Sequence, residues 1–242
     1  MSAVVAAAIL VSLPVAAADV KAPSPSTVEV HVEPQAWQVR RAEFARAFNV
    51  VNANNGDQSD AKALKVIDDR LTSFEKAPLS FTPMEAMDLY GAFYVPKDGS
   101  TKMKELLQMV SAMATLGWYD ALRFADESGR AEIVNNEAFF KRAFVLGGDE
   151  GTQQLLALLQ KHPREAAEAV ATGIGLARKV RDNVGYDVRW PTGYGLHRTR
   201  CALSGGKDCP KPAELPKDKW DGAFAEAANV VETYYRDNSK KK

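Results

Sequence analysis

Residues 101–125, TKMKELLQMVSAMATLGWYDALRFA, decide the fold class. Leu106, Val110, Met113, Leu116 and Trp118 recur along this run at helical spacing, and the run holds no proline, so it is predicted as one long helix with Gly129 as its stop. Working upstream, Thr82-Pro83-Met84-Glu85 joins an N-cap, a first-position proline and a capping-box glutamate, with Phe81 placed as a hydrophobic staple. Leu64, Ile67, Leu71 and Phe74 predict a helix opened by Ser59 or Asp60, and Trp37, Phe44, Phe48 and Val51 predict an amphipathic one before it. Downstream, helices are expected over 131–146, 152–161 and 163–183, and Trp220, Phe224, Ala227, Val231 and Tyr234 mark a closing helix. Only Val28, Val30 and Val32 alternate as a strand would, so an all-α domain of about eight or nine helices is expected over 34–236. No signature recurs at the periods of helical repeat proteins.

The 242 residues are 46% hydrophobic and 26% charged, enough to bury a core, with 31 Lys+Arg against 31 Asp+Glu. That composition excludes a disordered tail protein, a collagen-like fibre and a disulfide-dense miniprotein, and its zero net charge argues against a nucleic-acid binder. Residues 3–18 are uncharged and apolar or small, with Pro14 near their end and Ala16-Ala17-Ala18 ahead of Asp19. The pattern predicts an export signal cleaved after Ala18, followed by a linker over 19–33 and, after the domain, a basic polar tail over 237–242. The run is too short to span a bilayer, so a soluble periplasmic product without a transmembrane anchor is expected.

Cys201 and Cys209 are the only cysteines, and in an oxidising compartment they suit a disulfide that pins one C-terminal loop. The chain-entropy estimate for so small a ring is about 2.6 kcal/mol, which holds a loop rather than a fold. His31, His162 and His197 are far apart and outside any metal-binding pattern, and neither a G-x-S-x-G elbow nor a complete dinucleotide fingerprint occurs. Gly173-Ile174-Gly175 and Gly193-Tyr194-Gly195 each read as helix packing or a turn, and His162 before Pro163 as an N-cap. No cofactor, metal or catalytic residue is therefore expected. Glu127-Ser128 resembles the Glu-Ser pair of lytic transglycosylases, which would imply an exported helical enzyme with Glu127 as general acid; the Gly-Leu-Met-Gln run of that family is absent. Met84, Met87, Met109 and Met113 lie at helical spacing and could line a ligand pocket, although methionines so placed are usually core.

Residues 178–219 differ from the rest. They carry ten Lys+Arg against five Asp+Glu, net plus five, where residues 19–177 carry 17 against 22, net minus five. Arg189, Trp190, Tyr194, His197, Arg198 and Arg200 interleave there with prolines, on what reads as an irregular, disulfide-pinned loop. Aromatic and arginine side chains on such a loop are the residue types of interface hot spots, so these six are the candidate partner-binding residues. The alternative is that the aromatics cap the core and the arginines are a solvated face.

Arg189-Trp190-Pro191-Thr192, Tyr194-Gly195-Leu196, Cys201, a Gly-Gly turn, Cys209, the proline run and Trp220-Asp221 opening an Ala-rich helix that ends in Tyr234-Tyr235 carry a resemblance over 186–236. The segment looks like periplasmic immunity proteins that accompany type VI secretion effectors. The resemblance implies a non-enzymatic inhibitor, exported to meet a lipase-like or phospholipase-like toxin and to neutralise it by occlusion. It transfers no catalytic residue, and the oligomeric state stays open.

Overall fold

In the computed structural model residues 36–53, 60–94, 100–124, 127–130, 148–183, 186, 196–205 and 213–240 are described. The chain divides into two units, Met1–Val30 and His31–Lys242, and all described residues belong to the second. The helix expected over 131–146, the extended 28–32 segment, and Arg189, Trp190, Tyr194 and Cys209 lie outside them.

Local signals in the chain place the helix starts. α1 (Ala36–Ala53) is followed by α2 (Ala61–Lys76), where Asp60 caps the first turn by accepting from the Ala63 N–H at 2.9 Å. α3 (Pro83–Tyr94) opens with the capping box: Glu85 Oε2 accepts from the Thr82 N–H at 2.9 Å and Thr82 Oγ1 from the Glu85 N–H at 3.2 Å. α4 (Ser100–Leu122) ends seven residues before Gly129; Phe124 instead makes a β-bridge with Glu214, and Glu127–Arg130 form a 3₁₀ turn. α5 (Gly148–Lys161) and α6 (Pro163–Arg181) follow, with His162 at the N-cap position but making no side-chain cap bond. α7 (Leu196–Leu203) and α8 (Trp220–Ser239) complete the described chain, which is all-α.

α4 is the central helix. Leu106, Leu107, Val110, Ala114, Leu116 and Tyr119 are fully buried around its circumference, as expected of a helix with neighbours on every side. It packs against α3, α5, α6 and α8, most extensively against α6. α6 presents Ala166, Ala169, Val170, Gly173, Ile174 and Ala177 at spacings of three and four, a buried stripe of mostly small side chains. At Gly173 the backbones come so close that a β-carbon would stand 2.8 Å from Ser111 Cβ and 3.0 Å from the Ala112 nitrogen, and closer still to the Gln108 carbonyl.

A second hydrophobic cluster, including Phe44, Ala47, Ile67, Phe81 and Leu89, joins α1, α2 and α3. Two ion pairs clamp α1 to α3 beside it. Arg40 holds Glu85 in a bidentate pair at 2.7 and 3.0 Å, and Arg41 holds the buried Asp88 at 2.7 Å. Glu85 thus serves both the cap of α3 and its docking on α1.

The α4–α6 contact yields a paired prediction. Gly173→Ala forces backbone apart and should destabilise the protein by about 1–3 kcal/mol in urea unfolding. Gly175→Ala, where the added methyl meets nothing within 4 Å, should be neutral or stabilising by up to about 1 kcal/mol.

Candidate protein-interaction surface

The C-terminal end of α4 carries more polarity than a core helix usually does, and that polarity is met by Tyr186, Leu215 and Trp220. Asp120 is fully buried, and its Oδ2 accepts from the Tyr186 hydroxyl at 2.7 Å. Arg123, also buried, lies with its guanidinium carbon 4.2 Å from the centre of the Trp220 ring and donates to the Tyr119 hydroxyl at 3.2 Å. Such a desolvated stacked arginine stabilises by about 1–2 kcal/mol. The Leu215 N–H donates to the Arg123 carbonyl at 2.7 Å, and Trp220 Nε1 donates to the Leu215 carbonyl at 2.9 Å. Arg181, at the end of α6, lies over Phe224 at 4.7 Å while bonding Asp182 at 2.7 Å and Asp221 at 2.9 Å.

α7 is fixed from the same side. Ser128, in the 3₁₀ turn after α4, accepts from the Leu196 N–H at 2.7 Å through its hydroxyl oxygen, so a residue 68 positions upstream supplies a bond to the first turn of α7. At the other end Gly205 adopts φ 77°, the left-handed conformation that ends a helix, and the Ser204 N–H closes on the Arg200 carbonyl at 3.0 Å. The short helix is thus bounded at both ends.

Its outer face is apolar and basic. Leu196 and Leu203 are 55% and 57% exposed, the two most exposed large hydrophobic residues among those described, and the exposed Arg200 lies between them. Positions 196, 200 and 203 fall within one narrow arc of a helix. Isolated exposed leucines are ordinary; two of them on one arc with an arginine, on a helix bonded through Ser128, form a small contact surface.

Of the six residues predicted to bind a partner, His197, Arg198 and Arg200 are on α7 and not on an irregular loop, which corrects the sequence expectation for residues 196–203. Leu196 and Leu203 are separated by a mostly polar run in the sequence, so apolar periodicity gave no helix signal there; the Ser204-Gly205 stop was the signal to read. Arg189, Trp190 and Tyr194 lie outside the described residues. Cys201 is not a free thiol, while Cys209 lies outside the described residues. Sequence reasoning missed the exposed Leu196 and Leu203, the Ser128 bond to Leu196, and the polar group formed by Asp120, Arg123 and Tyr186.

The rival sites read differently. Glu127 is 80% exposed and 3.4 Å from Arg130, open to solvent and not set in a cleft where a substrate could be enclosed. Met84 and Met87 are buried in the core, and Met113 packs against it. Among the described residues no group of three or more His, Cys, Asp or Glu is placed to hold a metal ion. No described helix is long and apolar enough to cross a membrane.

Burial, with the neighbouring Asp120 carboxyl, pushes the Tyr186 phenol well above its usual pKa of 10.0. The folded chain then keeps this proton where the unfolded chain loses it, so the stabilisation is complete below about pH 10 and declines as pH rises further. Burial shifts Tyr119 and Tyr235 in the same direction. Tyr186→Phe should cost about 1–3 kcal/mol at neutral pH by leaving the Asp120 oxygen without its donor, and should make the decline above pH 10 shallower without removing it. Urea midpoints measured from neutral to alkaline pH check both parts. Compared with known proteins, the chain matches no family model, no curated protein and no solved structure.

Proposed function

We propose that this chain is an exported, non-enzymatic helical protein that binds a protein partner and occludes it, the partner being a secreted toxin met in the periplasm. The observation that carries the reading is the exposed Leu196, Arg200, Leu203 arc on a helix bonded through Ser128 and closed by Gly205. A surface held rigid before contact loses little conformational entropy on binding, and this favours affinity without any catalytic group. The net charge of plus five over 178–219 selects an acidic face on the partner. The likeness of residues 186–236 to immunity proteins of type VI secretion supplies the class of partner, a lipase-like or phospholipase-like effector. In this reading Arg189, Trp190, Tyr194, His197 and Arg198 extend the contact, and a Cys201–Cys209 disulfide holds the end of α7 to the chain beyond it.

Five measurements test the proposal. N-terminal sequencing of the exported product should begin at Asp19, and its intact mass should fall two hydrogens short of the reduced value. Protein retained by the immobilised chain from the exported fraction should have its enzymatic activity suppressed by stoichiometric addition of that chain. Trp190→Ala or Arg198→Ala should weaken this association by about 1–3 kcal/mol each, and Leu196→Asp with Leu203→Asp should abolish it while leaving the unfolding midpoint within about 0.5 kcal/mol of wild type. Wild-type affinity in all these variants, or suppression that never occurs at any ratio, would remove this segment from the function.

A further inference from the structure

A second feature lies on other elements and does not depend on the reading above. The corner between α5 and α6 meets the C-terminal half of α8 across a cleft of about 350 Å³. Ligand sites span roughly 300–1,000 Å³, so the cleft has room for a small molecule. It exists because the α6 wall is built of short side chains: Pro163, Ala166 and Ala167 face Tyr235 and Ser239, and nothing long fills the gap. Val170 and Tyr235, both almost wholly buried residues, contribute to its apolar floor.

The charged groups lie on one side only. Glu232 and Arg236 border the cleft from α8, one turn apart, in the order and spacing that favour a helical ion pair. That pair is not made. Arg236 donates instead to Thr233 Oγ1 at 3.1 Å and lies 3.7 Å from Asp237, which offsets its charge. The Glu232 carboxylate has no hydrogen-bond or ion-pair partner among the described residues and stands at the edge of an apolar floor with an aromatic ring in it.

We propose that this cleft binds a small apolar cation, an amine whose hydrocarbon body lies along Ala166, Ala167 and Val170 and whose ammonium group meets Glu232. A carboxylate beside an aromatic side chain is a favourable setting for an ammonium group, and the short-chain wall accepts the hydrocarbon without needing polar partners. The α6 wall offers no charged side chain to the cleft, so the ligand's charge is read from α8 alone.

The test uses three ligands with one hydrocarbon body: octylammonium, octanol and octanoate. Each is titrated into the full chain labelled at its alanine methyls, with the shifts of Ala166 and Ala167 as the readout. Octylammonium should bind saturably and more tightly than octanol, and octanoate most weakly. Glu232→Gln should weaken octylammonium about tenfold and leave octanol unchanged. Ala167→Trp, a substitution at an exposed position, should abolish binding of all three by filling the cleft. Octanoate binding as tightly as octylammonium would overturn the charge assignment and show Arg236 to be the reader. An absence of saturable shifts with every ligand, or octylammonium affinity unchanged in both variants, would overturn the site itself.

Discussion

The close approach of α4 and α6 at Gly173 is the constraint on which the other helix positions depend. Two helices come this near only where side chains are small, because any β-carbon at Gly173 would collide with the Gln108 carbonyl and with Ser111. Ala166, Ala169 and Ala177 continue the thin stripe along α6. Packed this way, α4 keeps Leu106, Leu107 and Val110 out of water, and α3, α5 and α8 can cover its remaining sides. Burying a leucine or valine side chain stabilises by about 1.5–3 kcal/mol, so the central helix concentrates much of the hydrophobic driving force. The same economy of side-chain size on α6 has a second result beyond the core, since Pro163, Ala166 and Ala167 leave the cleft against α8 open.

At its far end α4 changes character. Asp120 and Arg123 are buried, and a buried polar group without a partner costs more than a satisfied one contributes. Their needs select what packs over them: a tyrosine hydroxyl for Asp120, and the Trp220 and Tyr119 rings for the Arg123 guanidinium. Tyr186 and Leu215 are attached by specific polar bonds, whereas α8 is held mainly by burial of Phe224, Ala227, Val231 and Tyr235. Because the polar bonds are directional, they set the position of the attached residues as well as holding them.

Much of the fold was legible in local chemistry. The capping box at Thr82 and Glu85, the Asp60 cap, Pro163 at the first position of α6 and the apolar stripe from Trp220 to Val231 each act within a turn or two of themselves and appear where the sequence places them; at the end of that stripe Tyr235 is buried where Tyr234 was expected. The less legible features depend on distant partners. Gly129 looked like the stop of α4, yet the helix ends earlier, where Phe124 bridges to Glu214 and the Arg123 carbonyl accepts from Leu215. α7 has no apolar repeat in its sequence and has its first turn bonded by Ser128 from elsewhere in the chain, so a search for periodic apolar residues passes over it.

By itself the sequence determined that the described chain is helical, where most of its helices begin, and which segment carries the basic and aromatic residues; these follow from backbone capping, side-chain periodicity and charge, all of which act over a few neighbouring residues. Only the tertiary structure decided that Leu196, Arg200 and Leu203 face outward together, that Glu127 stays in water, and that Glu232 stands at the edge of an apolar cleft without an ion partner among the described residues. Those outcomes depend on which surfaces meet across gaps of tens of residues, and burial, unlike helix capping, belongs to the assembled core and not to any one stretch of chain.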